Sequence, residues 1–482
     1  MFWKGRNLYV FIMFLLLAMF AGGILTLTIV GPLSFAQQGQ AGRQPSTGFT
    51  AEELRKLSAT YDLIRNEYLH EVDRKKVIDG AITGMLEALG DPYTTYLDQK
   101  QAEQFKEVLH SSFQGIGAEV SMENGRVKVV APIKGSPAEK AGLRPNDIIV
   151  SVNGEKLEGL SLTEAVMKIR GPKGSQARLE IIRDASEPIE IVIVRDDIPI
   201  ETVFAEVLEG NIGKLEIREF SFNTPKRFNE ELTNLENRGI RGLIIDVRSN
   251  PGGLLPVVID MLNPLVPQGK TIVQVEDRNG NREKTVSEGP GKPYPIAVLI
   301  DAGSASASEI MAAAIREAAG GKLIGEKTFG KGTVQITFEK EMGDGSNIKM
   351  TVMKWLTPDG NWIHEKGIEP DIPVEQPAYF KVAPMSKKAT LKFDMANEDV
   401  KNLQIMLEGL GLEPGRTDGY FGEKTAEAVR RFQEANGLPV NGEVDAKTAE
   451  KIEEAITKQI RDPKNDLQLK AAVQYMKTAI GQ

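Results

Sequence analysis

The 482-residue chain reads as a multidomain α+β protein, and three patterns predict that class. A long uncharged apolar run near the N-terminus predicts a membrane helix, and residues spaced as in a helix follow it. Two blocks then carry short β-type runs between Gly, Pro and Asn turns, the second alternating them with helices. A small helical unit closes the order. The length allows roughly three domains at about 150 residues each. At 41% apolar and 26% charged residues, the composition is globular.

Lys4 and Arg6 precede a stretch with no charge from Asn7 to Gly42. Within it Leu8 to Val30 is long enough to cross a ~30 Å hydrocarbon core. Basic residues ahead of the span favour an inside N-terminus and an exported remainder. Residues 1-36 therefore read as a signal anchor or transmembrane segment, although Ser34-Phe35-Ala36 also fits a cleavage site. The expected place is outside the cytoplasm, anchored to the cell membrane or secreted to the envelope. Residues 37-49 read as a linker.

Leu54, Leu57, Tyr61 and Ile64 have helical spacing in residues 50-106, which a turn at Gly90-Asp91-Pro92 interrupts. In residues 107-197, β-type runs at Val127–Val130, Asp147–Val152 and Ala177–Ile182 surround a helical stretch at Leu162–Ile169. In residues 198-377, apolar runs at 242–246 and 296–300 read as buried strands. Residues 378-396 read as a second linker, 397-456 as the small helical unit and 457-482 as a polar helical tail.

Several chemistries are excluded by composition. Fifty-nine Lys and Arg against 67 Asp and Glu give a net charge of −8, unsuited to nucleic acid as a partner. With no cysteine, thiolate clusters and thiol nucleophiles are impossible. Only His70, His110 and His364 are present, so a zinc site of the usual histidine type is not expected, and the chain reads as using no metal or other cofactor. A hydrolase built from these residues is expected to work without Cys or His.

Gly303-Ser304-Ala305-Ser306-Ala307-Ser308-Glu309 lies where an apolar strand gives way to a helix. Small residues there admit a substrate backbone, and the helix start offers unpaired N–H groups and a positive dipole end. The plain alternative is N-capping by serine. Phe329-Gly330-Lys331-Gly332-Thr333-Val334-Gln335 places a lysine between glycines. Lysine acts as a base only if burial lowers its pKa from about 10.4. Gln335 would lie ~13 Å away on a straight strand, so it reaches Lys331 only through a bend. Asn250-Pro251-Gly252-Gly253 offers backbone amides for an oxyanion, or is merely a tight turn. Gly325 to Lys331 mimics a P-loop, but Gly332 occupies the position of the required Ser or Thr, which removes an ATP-driven machine.

Together with Trp355-Leu-Thr357-Pro-Asp-Gly360 and Gly367-Ile-Glu-Pro-Asp371, these segments resemble the carboxyl-terminal processing (tail-specific) serine proteases of the Gram-positive type. The resemblance spans about Leu54 to Val374. It implies Ser306 as nucleophile, Lys331 as general base and Gln335 as its orienter, with no motif position missing. It also implies oxyanion donors at Ala307 and at Gly252 or Gly253, and a dimerisation role for residues 50-106. The reaction implied is peptide cleavage through an acyl-enzyme in an α/β serine protease core.

Phe113-Gln-Gly-Ile-Gly-Ala118 with Ser136-Pro-Ala and Val152-Asn-Gly154 resembles a PDZ domain. That implies carboxylate capture by the amides of Gly115, Ile116 and Gly117, and protein or peptide substrates bound by their C-termini. Arg170 then either links peptide binding to assembly of the active site or is a solvated helix end. Asp418-Gly-Tyr420-Phe421-Gly with Asn436-Gly-Leu-Pro resembles a three-helix peptidoglycan-binding domain, which makes the cell wall an expected partner. Tyr420 and Phe421 either line a groove or fill a core. The expected protein is thus an exported, homodimeric serine endopeptidase, trimming a regulatory envelope protein. The competing class is a non-catalytic scaffold tethering partners to the wall.

Overall fold

The computed structural model describes residues 48–123, 125–183 and 187–481. The expected membrane helix lies outside them. Among the described residues no helix is long and apolar enough to cross a membrane.

Two helices, Ala51–Glu67 and Arg74–Glu87, open the described chain. A capping box between Thr50 and Glu53 starts the first, and Asp73 caps the second. Neither buries a residue, so Leu54, Leu57, Leu63, Ile78 and Met85 stay exposed within the single chain. The rest of this region departs from the helical expectation. Thr95–Leu97 is a strand paired antiparallel with Asn347–Leu356, and the next helix, Gln99–His110, buries Ala102, Phe105 and Leu109. These residues join the largest apolar core, so the N-terminal region is woven into the molecule's centre.

The next unit is a sheet ordered Ala118–Glu123, Arg126–Pro132, Ile148–Val152, Gln176–Ile182 and Ile189–Val194. Leu162–Ile169 is helical, as its pattern predicts. Val127, Val129, Ile149, Leu179 and Ile181 fill the interior. Ala118–Glu123 is an edge strand, with one side of its ladder unpaired.

The centre is a six-stranded sheet ordered Val203–Leu208, Ile212–Ile217, Gly242–Asp246, Ile296–Ile300, Lys322–Gly325 and Ile372–Pro373. All its pairs are parallel except the first. Side chains alternate across a strand. Leu243, Ile245, Val298 and Ile300 therefore face the helices Thr224–Asn237, Leu255–Leu262 and Ala307–Glu317. Ile244, Ala297 and Leu299 face the other way, against Leu469, Ala472 and Met476 of the terminal helix Leu467–Ala479. The tail expected to be a polar extension is thus the sheet's second layer. Arg248 fixes its start by pairing with both Asp246 and Asp466. A second sheet carries Thr333–Phe338, Asn347–Leu356, Thr271–Asp277 and Arg282–Val286.

Helices Glu398–Gly409, Glu423–Ala435 and Ala446–Arg461 pack around Leu403, Leu407, Phe421, Val429 and Ile452. The third runs past residue 456. The preceding stretch, expected to be a linker, holds a 3-10 turn at Ala378–Lys381 and buries Met385 in this core. Phe421 is core, whereas Tyr420 sits at the rim, bonded to Asp394 and under Arg416.

Candidate active site

Three serines follow the strand Ile296–Ile300, and their hydroxyls have different fates. Ser304 Oγ donates to the Val247 carbonyl at 2.8 Å, and Ser308 Oγ donates to the Asn250 carbonyl at 2.8 Å. Both tie this loop to the Asn250 turn. Ser306 Oγ is buried without a hydrogen-bond partner. Its backbone is at φ +57°, ψ −111°, directly before the helix Ala307–Glu317. A non-glycine residue held there stores about 1–3 kcal/mol of strain, which surrounding contacts must fix.

Glu309 supplies much of that fixing. Its fully buried carboxylate accepts the N–H of Ser306 at 2.8 Å and of Lys331 at 2.8 Å on one oxygen. The other oxygen accepts from the Gly330 N–H at 2.7 Å and the Thr328 hydroxyl at 2.6 Å. Burial pushes its pKa up, while the four donors pull it down. One carboxylate thereby clasps two loops that are 25 residues apart in the chain, since 331 − 306 = 25.

Lys331 is fully buried. Its Nζ donates to Gln335 Oε1 at 2.8 Å and lies 4.9 Å from the centroid of the Tyr93 ring. Burial and then the charge of Lys349 push its pKa well below the ordinary lysine value, against Glu309 and Asp91, which favour the cation. The bend that Gln335 needs is present. Lys331 precedes the strand Thr333–Phe338, whose pairing with Asn347–Leu356 slips between Val334 and Gln335. The Gln335 amide nitrogen then donates to the hydroxyls of Thr333 at 3.0 Å and Thr351 at 2.9 Å. Two indoles pin the same loop: Trp355 Nε1 donates to the Lys331 carbonyl at 2.7 Å and Trp362 Nε1 to that of Gly332 at 2.9 Å. His364 accepts the Gly332 N–H through Nδ1 and stacks on Trp362.

Asn250–Gly253 packs against the serine loop. Gly252 has φ +104°, and a Cβ there would sit 2.7 Å from the Ala305 carbonyl oxygen and 2.8 Å from the Ala307 nitrogen. Only glycine admits this approach. The Gly252 N–H is held by Asn250 Oδ1 at 2.9 Å. Among the described residues, the N–H groups of Gly253 and Ala307 donate to no protein atom. The same residues contain no group of three or more His, Asp or Glu able to hold a metal ion.

Gly115, Ile116 and Gly117, expected to capture a substrate carboxylate, lie in the unit built on the sheet Ala118–Glu123 to Ile189–Val194, apart from Ser306 and Lys331. Gly117 has φ +77°, and a Cβ there would lie 2.4 Å from Ser136 Cβ. Ile116 is buried, with its carbonyl accepting from the Ala138 N–H. Arg170 ends the helix Leu162–Ile169, and its guanidinium stacks on Phe113 at 4.5 Å. It thus belongs to the Phe113–Gly117 segment.

Glu309, Asp91, Tyr93 and Thr351 are placed near the site by the structure and had no role there readable in the sequence. For Glu309 a signal of helix capping alone was present: a glutamate three residues after a serine at a helix start is the capping-box spacing. For the others there was none, because they reach the site from distant segments.

Four family models match the chain: peptidase family S41 over residues 211–374, a peptidoglycan binding domain over 396–452, the activating protease CtpB N-terminal domain over 28–101 and a PDZ domain over 128–183. The chain is 49% identical over 426 residues to the carboxy-terminal processing protease CtpB of Bacillus subtilis (strain 168), covering 87% of this chain and 88% of that one. To carboxy-terminal processing protease CtpA of the same organism it is 42% identical over 473 residues, covering 98% and 99%.

Proposed function

The chain belongs to the carboxy-terminal processing proteases of peptidase family S41, which makes it a serine-type peptidase, and from that premise we propose that Ser306, Lys331 and Gln335 form its catalytic triad. The observation that carries this reading is the environment of Lys331. A fully buried lysine bonded to Gln335, whose burial drives its pKa well below the ordinary lysine value, is shifted toward the neutral form that can accept a proton.

In the proposed cycle Lys331 takes the Ser306 proton as Oγ attacks the scissile carbonyl. The oxyanion forms against the N–H groups of Ala307 and of Gly253 or Gly252, of which Gly253's makes no other bond. Lys331 returns the proton to the leaving amine, and an ester to Ser306 remains. Water then gives Lys331 a proton as it attacks the ester, and Lys331 passes that proton to the departing Ser306 Oγ as the new C-terminus is released. Ser306 Oγ bonds no protein atom among the described residues, and in this reading its hydrogen bond to Lys331 is made as substrate seats.

Substrates enter by their C-termini. The edge strand Ala118–Glu123 can accept a peptide as an added strand, and the Gly115–Gly117 amides at its start suit a terminal carboxylate. Arg170, stacked on this segment, is the residue we assign to signal occupancy to the active site. The uncharged run at Leu8–Val30 anchors the chain outside the cytoplasm, and the C-terminal helical unit engages peptidoglycan. The exposed apolar residues of Ala51–Glu67 and Arg74–Glu87 pair two chains into a homodimer. A regulatory envelope protein is the proposed substrate.

The test is cleavage of an unfolded protein with an apolar C-terminus by the purified full chain. Ser306→Ala and Lys331→Ala should each lose at least ~1,000-fold in kcat while remaining folded. Retained cleavage in either folded variant would overturn the triad.

A further inference from the structure

The segment after residue 452 falls within none of the four family models, yet its helix Leu467–Ala479 reaches the site through one arginine. Arg248 stands between the strand Gly242–Asp246 and the Asn250–Gly253 turn. Its Nε and Nη2 donate to the two oxygens of Asp246 at 2.8 and 2.6 Å. On the other side Nη1 and Nη2 donate to the two oxygens of Asp466 at 2.9 and 2.8 Å. Nη1 donates also to Gln468 Oε1 at 3.1 Å. These bonds use every N–H of the guanidinium. Asp466 is itself held: its Oδ1 caps the terminal helix by accepting the Leu469 N–H at 2.9 Å, and accepts the Gln376 amide nitrogen at 2.6 Å.

We propose that Asp466 is a positioning residue for the oxyanion turn, acting through Arg248; this rests on the reading of Gly252 and Gly253 as oxyanion donors given above. Paired forks of this kind fix direction as well as distance. Arg248 is thus oriented by a carboxylate 218 positions away in the chain.

The backbone between Arg248 and the donors is locked. Ser249 follows at φ +53°, a conformation uncommon for a residue with a side chain. Asp301 holds it there, Oδ1 accepting the Ser249 N–H at 2.8 Å and Oδ2 its hydroxyl at 3.1 Å. Gly303 approaches so closely that a Cβ on it would lie 2.8 Å from the Ser249 Cα. Ser249 therefore has no free rotation with which to absorb a shift of Arg248. Such a shift passes to Asn250, whose Oδ1 holds the Gly252 N–H. The Asn250 carbonyl also receives the Ala305 N–H and the Ser308 hydroxyl, so the serine loop is set by the same turn.

Asp466→Asn and Arg248→Lys in the full chain separate positioning from stability. Asparagine caps helices as well as aspartate does, so the terminal helix keeps its start. Its oxygen stays where Oδ1 accepts, and the amide nitrogen then faces Arg248 Nη2, donor to donor. Arg248→Lys keeps the charge and loses the fork. Each should lower kcat about 10- to 100-fold. KM should stay within about twofold of wild type, because the turn meets the transition state rather than the bound substrate. Met476→Ala is the control, since it loosens the same helix against the sheet without touching Arg248. It should lower the denaturation midpoint and leave kcat within about twofold of wild type.

Wild-type kcat in a folded Asp466→Asn or a folded Arg248→Lys would overturn the proposal. So would an equal fall of kcat in Met476→Ala, which would make the effect one of general loosening. Gly252→Ala runs in the same assay: if it loses cleavage while Asp466→Asn does not, the link to the terminal helix alone fails. If Gly252→Ala cleaves as wild type does, the oxyanion reading beneath it fails.

Discussion

The two loops that meet at the site are prepared to different degrees. On the base side, Lys331 is anchored through its amine, its N–H and its carbonyl, to Gln335, Glu309 and Trp355. On the nucleophile side the hydroxyls of Ser304 and Ser308 are bonded while that of Ser306 is not. The base is preassembled, and the nucleophile awaits its final contact. Exposing a buried lysine would restore its charge and remove the base, so that side must be rigid. A serine hydroxyl rotates at little cost, so it can be completed late.

The comparison breaks most completely at Glu309, where the two sides join. Glu309→Leu leaves four donors without their acceptor, and we expect a loss of about 3–5 kcal/mol of stability together with all cleavage, read by chemical denaturation and product analysis. Gly252→Ala attacks the nucleophile side alone. Its Cβ would collide with Ala305 and Ala307, so kcat should fall ~100-fold or more in a chain that still folds. Smaller again is Ser308→Ala, which deletes a hydrogen bond to Asn250. It should cost about 1 kcal/mol of stability and leave kcat within an order of magnitude of wild type. A Ser308→Ala as inactive as Ser306→Ala would erase the distinction among the three serines.

Much of this architecture was readable in advance, for specific reasons. The strands at 242–246 and 296–300 are apolar at nearly every position because they are covered on both faces, and the structure gives those bounds. Leu162–Ile169 likewise reads as helical and is a helix with those bounds. Residue types at the site were visible, but local sequence did not separate Ser306 from Ser304 and Ser308. Partners on the Asn250 turn make that separation.

What stayed hidden depends on long-range contact. Thr94 and Thr351 are 257 positions apart, and a Gly-Asp-Pro turn looks the same whether or not it supports a lysine. The tail reads as helical from its sequence, and its polar composition obscured its role as a layer of the sheet. Only one stripe, through Leu469, Ala472 and Met476, meets the sheet, and its purpose becomes apparent when the sheet's second face is seen.

The account rests on Lys331 being neutral because it is buried, and the pH dependence of kcat tests this most directly. Below its pKa the amine is protonated and cannot take the Ser306 proton, so kcat falls on the acid side and levels above that pKa. Since burial and Lys349 lower the pKa, the plateau should be reached well below pH 10.5. A kcat still climbing as the pH approaches 10.5 would mean that the lysine titrates normally, and would contradict the preassembled base.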